Sequence, residues 1–514
     1  MLVAATEGGE STEGREREGG RTDASVRGMT KTWIAIAAGA ACLALAPGGP
    51  SAAQPAQQPA RPRAQLTARL TEIVGAANLG DQVGVSVIDV GSGGRIFDHH
   101  GDLALNPASN MKLVTAAGAL LRLGPGFTMR TVVHGRIEED GLVRELFVRG
   151  YGDPTLRMSD LVEIAEGLAD RGVRRVQTVV VDGGYFDAQH LPPAFEQQPD
   201  EMAAFRAPVA ALSVERSAYE LRVIPGAEVG SGASVRLAAE GYFALENGLT
   251  TSEAGRAPNV IAIQRGDGEQ MDLVLRGTVP VGILGVSYRR RVERPLPYAA
   301  HAMVEALRRA GIHAAGRVRI GETPGDAPVL VLRRSAAMAD VISEMGKQSD
   351  NFVAEMVLKV LGAERAAPGT SAAGAEVLQE VLAEAGVAAG EATIVNGSGL
   401  FHGNRIATSH LTRLLRHVYN EPAVRPEYLA HLAVGGADGT LHSRLEDLPH
   451  AGIVRAKTGT LADAIALSGY VLGPEPDQVL AFSFLANGVR GRTGEARRAG
   501  DDIARALAQH LWHQ

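Results

Sequence analysis

Apolar residues recur along this chain with two periods, and the changes of period mark out its elements. Residues 65–77 carry the three-to-four spacing of a helix. "VGVSVIDVGSGGRIFDHH" (83–100) alternates on either side of a Gly-Ser-Gly-Gly turn, which predicts two strands. "NPASNMKLVTAAGAL" (106–120) predicts a helix that is apolar nearly all round, the pattern of a core helix. Between about 130 and 322 the texture changes. Short strands such as "RTVVHGRI", "ELFVRG" and "VQTVVVDG" are separated by turns, with one clear helix, "SDLVEIAEGLADRG". The first texture resumes with a strand at 329–334 and helices near 336–346 and 351–361. The second of these places Phe352, Val353, Met356, Val357, Val360 and Leu361 on one stripe. "AIALSGYVLG" and "QVLAFSFLANG" predict a hairpin, and Ile503, Leu507 and Leu511 lie at i, i+4, i+8 of a last helix. Strands from both ends of the chain, with helices against them, predict one α/β domain. It is built from residues 64–129 and 323–514 and interrupted by a mostly β insert at 130–322.

Composition narrows the setting. The chain has 514 residues, 45% apolar and 21% charged, enough for two or three domains with their own cores. A net charge of −7 gives no support to nucleic-acid binding. No stretch after residue 60 is long and apolar enough to span a membrane, which leaves peripheral membrane contact open. Residues 1–28 are polar and aperiodic, as expected of a disordered extension or of sequence upstream of the true start. Met29 opens a better signal peptide, 29–53: Lys31, then "WIAIAAGAACLALA", then the small residues Ser51 and Ala53 before the expected cleavage. The only cysteine, Cys42, falls inside it, with Gly39 where a lipoprotein signal needs a bulky aliphatic residue. A mature chain without cysteine suits an exported, periplasmic protein that folds without disulfides. "QPAQQPARPR" (54–63) reads as a Pro/Gln linker. The 14 histidines show no metal-ligand spacing, so neither a metal nor another cofactor is expected.

The chemistry begins at Ser109. A serine near a helix start is ordinarily a cap, but Lys112 lies one turn further along the same face, among apolar neighbours. Burial disfavours the charged form of a lysine, and a neutral amine beside a hydroxyl is a base beside a nucleophile. Two more short stretches follow, Ser349-Asp350-Asn351 between two helices and Lys457-Thr458-Gly459-Thr460 where a strand should begin. Each is weak alone. The order SxxK, SxN, KTG resembles the set used by penicillin-binding proteins and serine β-lactamases. In such a set Ser109 attacks a carbonyl and Lys112 takes its proton. Lys457 adds a like charge that lowers the proton affinity of Lys112. Asn351 can bond Lys112 and the substrate amide, and Ser349 can relay a proton to the leaving amine. Gly459 leaves the strand edge open to substrate. The amides of Ser109 and Thr460 can form an oxyanion hole, and Lys457, Thr458 and Thr460 can hold a terminal carboxylate.

From about residue 80 onward the chain resembles the low-molecular-mass class C penicillin-binding proteins, the D-alanyl-D-alanine carboxypeptidase/endopeptidase family of serine peptidases. The likeness is carried by "PASNMKLVTAAGAL", "GYGDPTL", "ALSVERSAYELRVIPG", "GKQSDNFVAEMVLK", "VNGSGLFHGNRI", "GGADGTLHSRL" and "VRAKTGTL". It implies a transpeptidase-like (β-lactamase-like) domain, with an antiparallel sheet flanked by helices and one or two domains nested in the insert. It also implies peptidoglycan stem peptides as substrates and β-lactam antibiotics as covalent inhibitors. Where the family often has Asp-Gly-Ser-Gly-Leu and then Ser-Arg, this chain has Asn396 and Phe401-His402, a change expected at the rim and away from the motif residues. In relatives that recognise the free end of diaminopimelate, an acidic insert residue points into the site. The counterpart here is "PDEMAAFRAP", with Asp200 as the candidate, Glu201 one residue away and Phe205 as aromatic neighbour. Two other readings stay open at this point: a β-lactamase or esterase with the same pocket, and a non-catalytic wall-binding protein that keeps the fold.

Overall fold

The computed structural model describes residues 60–265 and 270–512. Along the chain the first elements are α1 (Ala60–Ala77), β1 (Val83–Asp89), β2 (Arg95–His99) and α2 (Met111–Leu123). The insert supplies β3 (Arg130–His134), β4 (Leu142–Gly150), α3 (Met158–Asp170), β5 (Arg175–Asp182), β6 (Ala218–Ile224) and β7 (Ser234–Arg236). It continues with β8 (Phe243–Ser252), β9 (Asn259–Arg265), β10 (Met271–Pro280), β11 (Val286–Arg291), α4 (Pro295–Arg309), β12 (His313–Ile320) and β13 (Val329–Arg334). After it come α5 (Met338–Gln348), α6 (Asn351–Arg365), α7 (Ser371–Glu384), α8 (Thr408–Tyr419) and α9 (Arg425–Ala430). The chain closes with β14 (Ala433–Val434), β15 (Val454–Thr460), β16 (Ala464–Leu472), β17 (Val479–Asn487) and α10 (Thr493–Trp512).

The two ends of the chain meet in one six-stranded sheet, ordered β14-β15-β16-β17-β1-β2 and antiparallel at every step. Its hairpin strands are apolar at almost every position because both faces are covered. Ala466 and Tyr470 of β16 pack with Leu113 of α2 and Leu414 of α8. The alternate residues Ile465, Leu467 and Val471 pack with Leu70 of α1 and with Ile503, Leu507 and Leu511 of α10. The expected antiparallel sheet flanked by helices is therefore present.

The insert departs from expectation in two ways. It contains a second helix, α4, which opens on two prolines, Pro295 and Pro297. A proline is tolerated in a first helical turn, where its missing N–H would be unpaired anyway. And β13, expected to reopen the main domain after residue 322, pairs instead with β3. It closes a five-stranded sheet ordered β12-β5-β4-β3-β13, in which β4, β5 and β12 run parallel. Two three-stranded sheets, β8-β10-β9 and β11-β6-β7, complete the insert.

Near the start, residues 60–63, expected in the linker, form the first turn of α1. The rest of that linker, the expected signal peptide and the segment before it lie outside the described residues. Among the described residues no helix is long and apolar enough to cross a membrane.

Candidate active site

The three motifs converge from separate elements. Ala108–Asn110 form a single 3-10 turn ahead of α2, so Ser109 stands half-buried at the mouth of an otherwise buried helix. Its side chain is the cap of neither this turn nor α2, whose N-cap residues are Pro107 and Asn110. It meets Lys112 instead, with Nζ 3.0 Å from Ser109 Oγ. Lys112 is fully buried. The same Nζ lies 2.7 Å from Asn351 Oδ1 and 2.7 Å from the Ser398 carbonyl. Burial brings the Lys112 amine down to about 7, against the opposing pull of the Glu355 and Asp350 charges.

Ser349 ends α5 with a left-handed backbone (φ 55°), and Asp350 caps α6 by accepting from the Val353 amide at 3.0 Å. That turn sends Ser349 one way and Asn351 the other. Ser349 Oγ accepts from Lys457 Nζ at 2.8 Å, while Asn351 reaches Lys112. Lys457 is fully buried, and burial together with the Lys112 charge pushes it well below an ordinary lysine. The pair resists holding two protons in so dry a place, as expected of like charges.

Lys457 lies in the middle of β15, opposite Ser468 of β16, rather than where the strand begins. Thr458 is buried and its hydroxyl donates to Thr440 Oγ1 at 2.7 Å; Thr460 is exposed at the strand end. Gly459 also has a packing reason to lack a side chain. A Cβ there would lie 2.9 Å from Ala466 Cβ, 3.0 Å from Ala108 Cβ and 3.1 Å from the Pro107 carbonyl. Its missing side chain lets the Ser109 turn pack directly on β15.

Several contributors were not picked out from the sequence. Glu355 accepts the amides of Gly397 and Ser398 and so fixes the loop that supplies the carbonyl to Lys112. Gly399 in that loop has φ +76°, and a Cβ there would lie 1.8 Å from the Ala108 carbonyl. Arg216 of the insert bonds Asp350 at 2.7 Å and also Glu344, tying the insert to the Ser349 turn. Their only signal was membership of the quoted stretches "VNGSGLFHGNRI", "ALSVERSAYELRVIPG" and "GKQSDNFVAEMVLK".

Asn396 is fully buried rather than at a rim, and its hydrogen bonds go to no motif residue. Its Oδ1 accepts from the Gly399 amide (2.9 Å), and its Nδ2 donates to the Leu400 and Pro193 carbonyls (both 3.1 Å). An ionised aspartate could accept but not donate. The departure from the common pattern therefore supports the loop that touches Lys112.

The insert segment at 200–205 is placed unevenly. The Phe205 carbonyl accepts from Asn351 Nδ2 at 3.1 Å, and the Phe205 ring is 46% exposed beside it. Glu201 is turned into its own loop: its carboxylate accepts from the Ala203 amide (2.9 Å) and its carbonyl from Arg206 and Arg291. Asp200 is exposed and makes no hydrogen bond or ion pair with the motif residues.

Comparison with known proteins agrees with this geometry. The profile of the D-Ala-D-Ala carboxypeptidase 3 (S13) family matches residues 66–510. A D-alanyl-D-alanine carboxypeptidase from Actinomadura sp. (strain R39) is 36% identical over 450 residues, covering 84% of this chain and 82% of that protein. The D-alanyl-D-alanine carboxypeptidase DacB of Haemophilus influenzae is 23% identical over 421 residues, covering 79% and 85%. The crystal structure of penicillin binding protein 4 (dacB) from Haemophilus influenzae shares the fold, with a TM-score of 0.72 at 21% identity over 86% of this chain and 99% of that one. With the family profile spanning nearly all of the described residues and the three motifs brought together in space, the chain belongs to the D-Ala-D-Ala carboxypeptidase 3 (S13) family.

Proposed function

We propose that this chain is a penicillin-binding DD-peptidase that works through an acyl-enzyme on Ser109, with Lys112 as its base. The observation that carries the reading is the set of contacts around Lys112 Nζ. Two of its three neighbours, Asn351 Oδ1 and the Ser398 carbonyl, can only accept. A neutral amine that donates one hydrogen to each leaves its lone pair facing the third neighbour, the Ser109 hydroxyl.

The reaction then follows. Ser109 Oγ attacks the carbonyl carbon of the penultimate D-alanine while its proton passes to Lys112 Nζ. The new C–O bond forms, the C–N bond to the terminal D-alanine breaks, and that amine takes a proton relayed through Ser349 Oγ. Water attacks the acyl carbon and gives a proton to Lys112 Nζ; the C–O bond to Ser109 breaks, and Ser109 Oγ takes that proton back. The amides of Ser109 and Thr460 hold the developing oxyanion, a contribution of roughly 3–4 kcal/mol per donor. The substrate carboxylate sits at Lys457, Thr458 and Thr460, where its charge favours a proton on Lys457.

The substrate is a peptidoglycan stem peptide or a D-amino-acid cross-link, which makes the working place the periplasm. β-Lactams enter as amides that acylate Ser109. Phe205 and Asp200 border the distal part of the substrate, with Asp200 toward an amino group there. Asp200 suits this better than Glu201, whose carboxylate is already engaged. Incubation with a peptide ending in D-Ala-D-Ala tests the reading. Release of free D-alanine by the intact protein and none by Ser109→Ala supports it; equal release by both overturns it.

A further inference from the structure

Helix α6 carries a polar stripe through an otherwise apolar core. Asn351, Glu355 and Lys359 lie at i, i+4, i+8 and share one face. Asn351 belongs to the second motif, but Glu355 belongs to none. It is 1% exposed, deeper than any carboxylate a surface role requires. Its two oxygens accept two successive backbone amides, Gly397 N at 3.2 Å and Ser398 N at 2.8 Å.

The same two residues present their carbonyls to the opposite helix. The Gly397 carbonyl accepts from Thr115 Oγ1 at 2.7 Å, and the Ser398 carbonyl accepts from Lys112 Nζ at 2.7 Å. Thr115 and Lys112 both lie on α2. The 397–398 backbone is thus held between two helices, its amides on Glu355 and its carbonyls on α2. Any displacement of the Glu355 carboxylate moves the carbonyl that orients Lys112.

We propose, resting on the reading of Ser109 and Lys112 above, that Glu355 is the positioning residue of this site. It fixes the Ser398 carbonyl on Lys112 and supplies the buried negative charge against which Lys112 exchanges its proton. The chemistry of the contact explains a glutamate in particular. A glutamine offers one acceptor and one NH2, and the NH2 would face a backbone N–H. The other charged groups around Lys112 are Asp350, which caps α6 and is already paired with Arg216, and Lys457 on β15. Beyond Glu355 on the same stripe, Lys359 is paired with Asp187 and with the Gln189 carbonyl. Among the described residues Glu355 is therefore the carboxylate near Lys112 without an ion-pair partner of its own; burial raises its proton affinity, while the Ser398 hydroxyl, the Gly397 and Ser398 amides and the Lys112 charge pull it back toward the carboxylate.

The test is the pH profile of benzylpenicillin acylation at Ser109, followed by mass spectrometry, for the intact chain, Glu355→Gln and Glu355→Asp. In the intact chain the rate constant rises with pH as Lys112 loses its proton. Without the neighbouring negative charge Lys112 releases its proton more readily, so Glu355→Gln shifts the midpoint down by about one pH unit. It also lowers the plateau roughly tenfold through the lost amide contact. Glu355→Asp keeps the charge but not the reach, so the plateau falls while the midpoint stays. Should Glu355→Gln fail to fold, Glu355→Ala removes the same charge and is expected to give the same shift. A Glu355→Gln midpoint equal to that of the intact chain overturns the inference, and so does a Glu355→Asp midpoint that moves as far. If the intact chain forms no Ser109 adduct, the underlying reading fails, and the inference with it.

Discussion

Lys112 Nζ lies 3.0 Å from Ser109 Oγ, and it is held there by the Asn351 side chain and the Ser398 carbonyl, both at 2.7 Å. A fully buried lysine with its proton affinity lowered to about 7 can be a base near neutral pH.

The pH dependence of acylation follows from the sign of that shift. Only neutral Lys112 can accept the Ser109 proton. The acylation rate should therefore be low at pH 5, rise through about 7 and level off above it. A stopped-flow or mass-resolved series from pH 5 to 9 with one β-lactam checks this. A rate that falls over the same interval would contradict a lysine base.

Arg216 joins the insert to the second motif by its bonds to Asp350 and Glu344. Arg216→Ala leaves two carboxylates, Glu344 of α5 and Asp350 at the start of α6, without their cation. It should cost about 2 kcal/mol of stability and lower kcat/KM on a D-Ala-D-Ala peptide roughly tenfold, through a looser Ser349 turn. Arg216→Lys should recover little, because one ammonium cannot span two carboxylates as a guanidinium fork does. Denaturant unfolding and peptide kinetics on both variants measure this.

Gly459→Ala places a methyl group 3.0 Å or less from Ala108 and Ala466. Overpacking of this kind costs about 1–3 kcal/mol. Here it pushes on the turn that carries Ser109, where a shift near 1 Å can cost on the order of 100-fold in rate if Ser109 is the nucleophile. Acylation should fall by about that factor while the far-ultraviolet circular dichroism stays unchanged. Full activity in this variant would show that the Ser109 turn does not depend on the close approach.

Asp200→Ala tests recognition apart from chemistry. Asp200 is exposed, so an ion pair it makes with a substrate amine should change kcat/KM by no more than about fivefold. Acylation by benzylpenicillin, which lacks the amine, should be unaffected. A parallel fall in both rates would make Asp200 structural, and no change in either would leave it without a part in recognition.

The sequence was most legible where chemistry sits in short local spacing. Ser109 and Lys112 are one helical turn apart, and the near-continuous apolar runs of β16 and β17 announce a hairpin. It was least legible where a contact spans the fold. A strand pattern identifies β13 but not its partner, which is β3 rather than the main sheet. Glu355 looks like any polar residue on a helix until the 397–398 loop is seen against it. The reason for Gly459 appears only when the Ser109 turn is laid on β15.

The central claim, that Ser109 is the nucleophile, is tested most directly by intact-protein and peptide mass spectrometry after incubation with benzylpenicillin. The account predicts one penicilloyl group per chain, located on the peptide that contains Ser109, and none on Ser109→Ala. A penicilloyl group on any other serine, or an adduct that survives in Ser109→Ala, would contradict it.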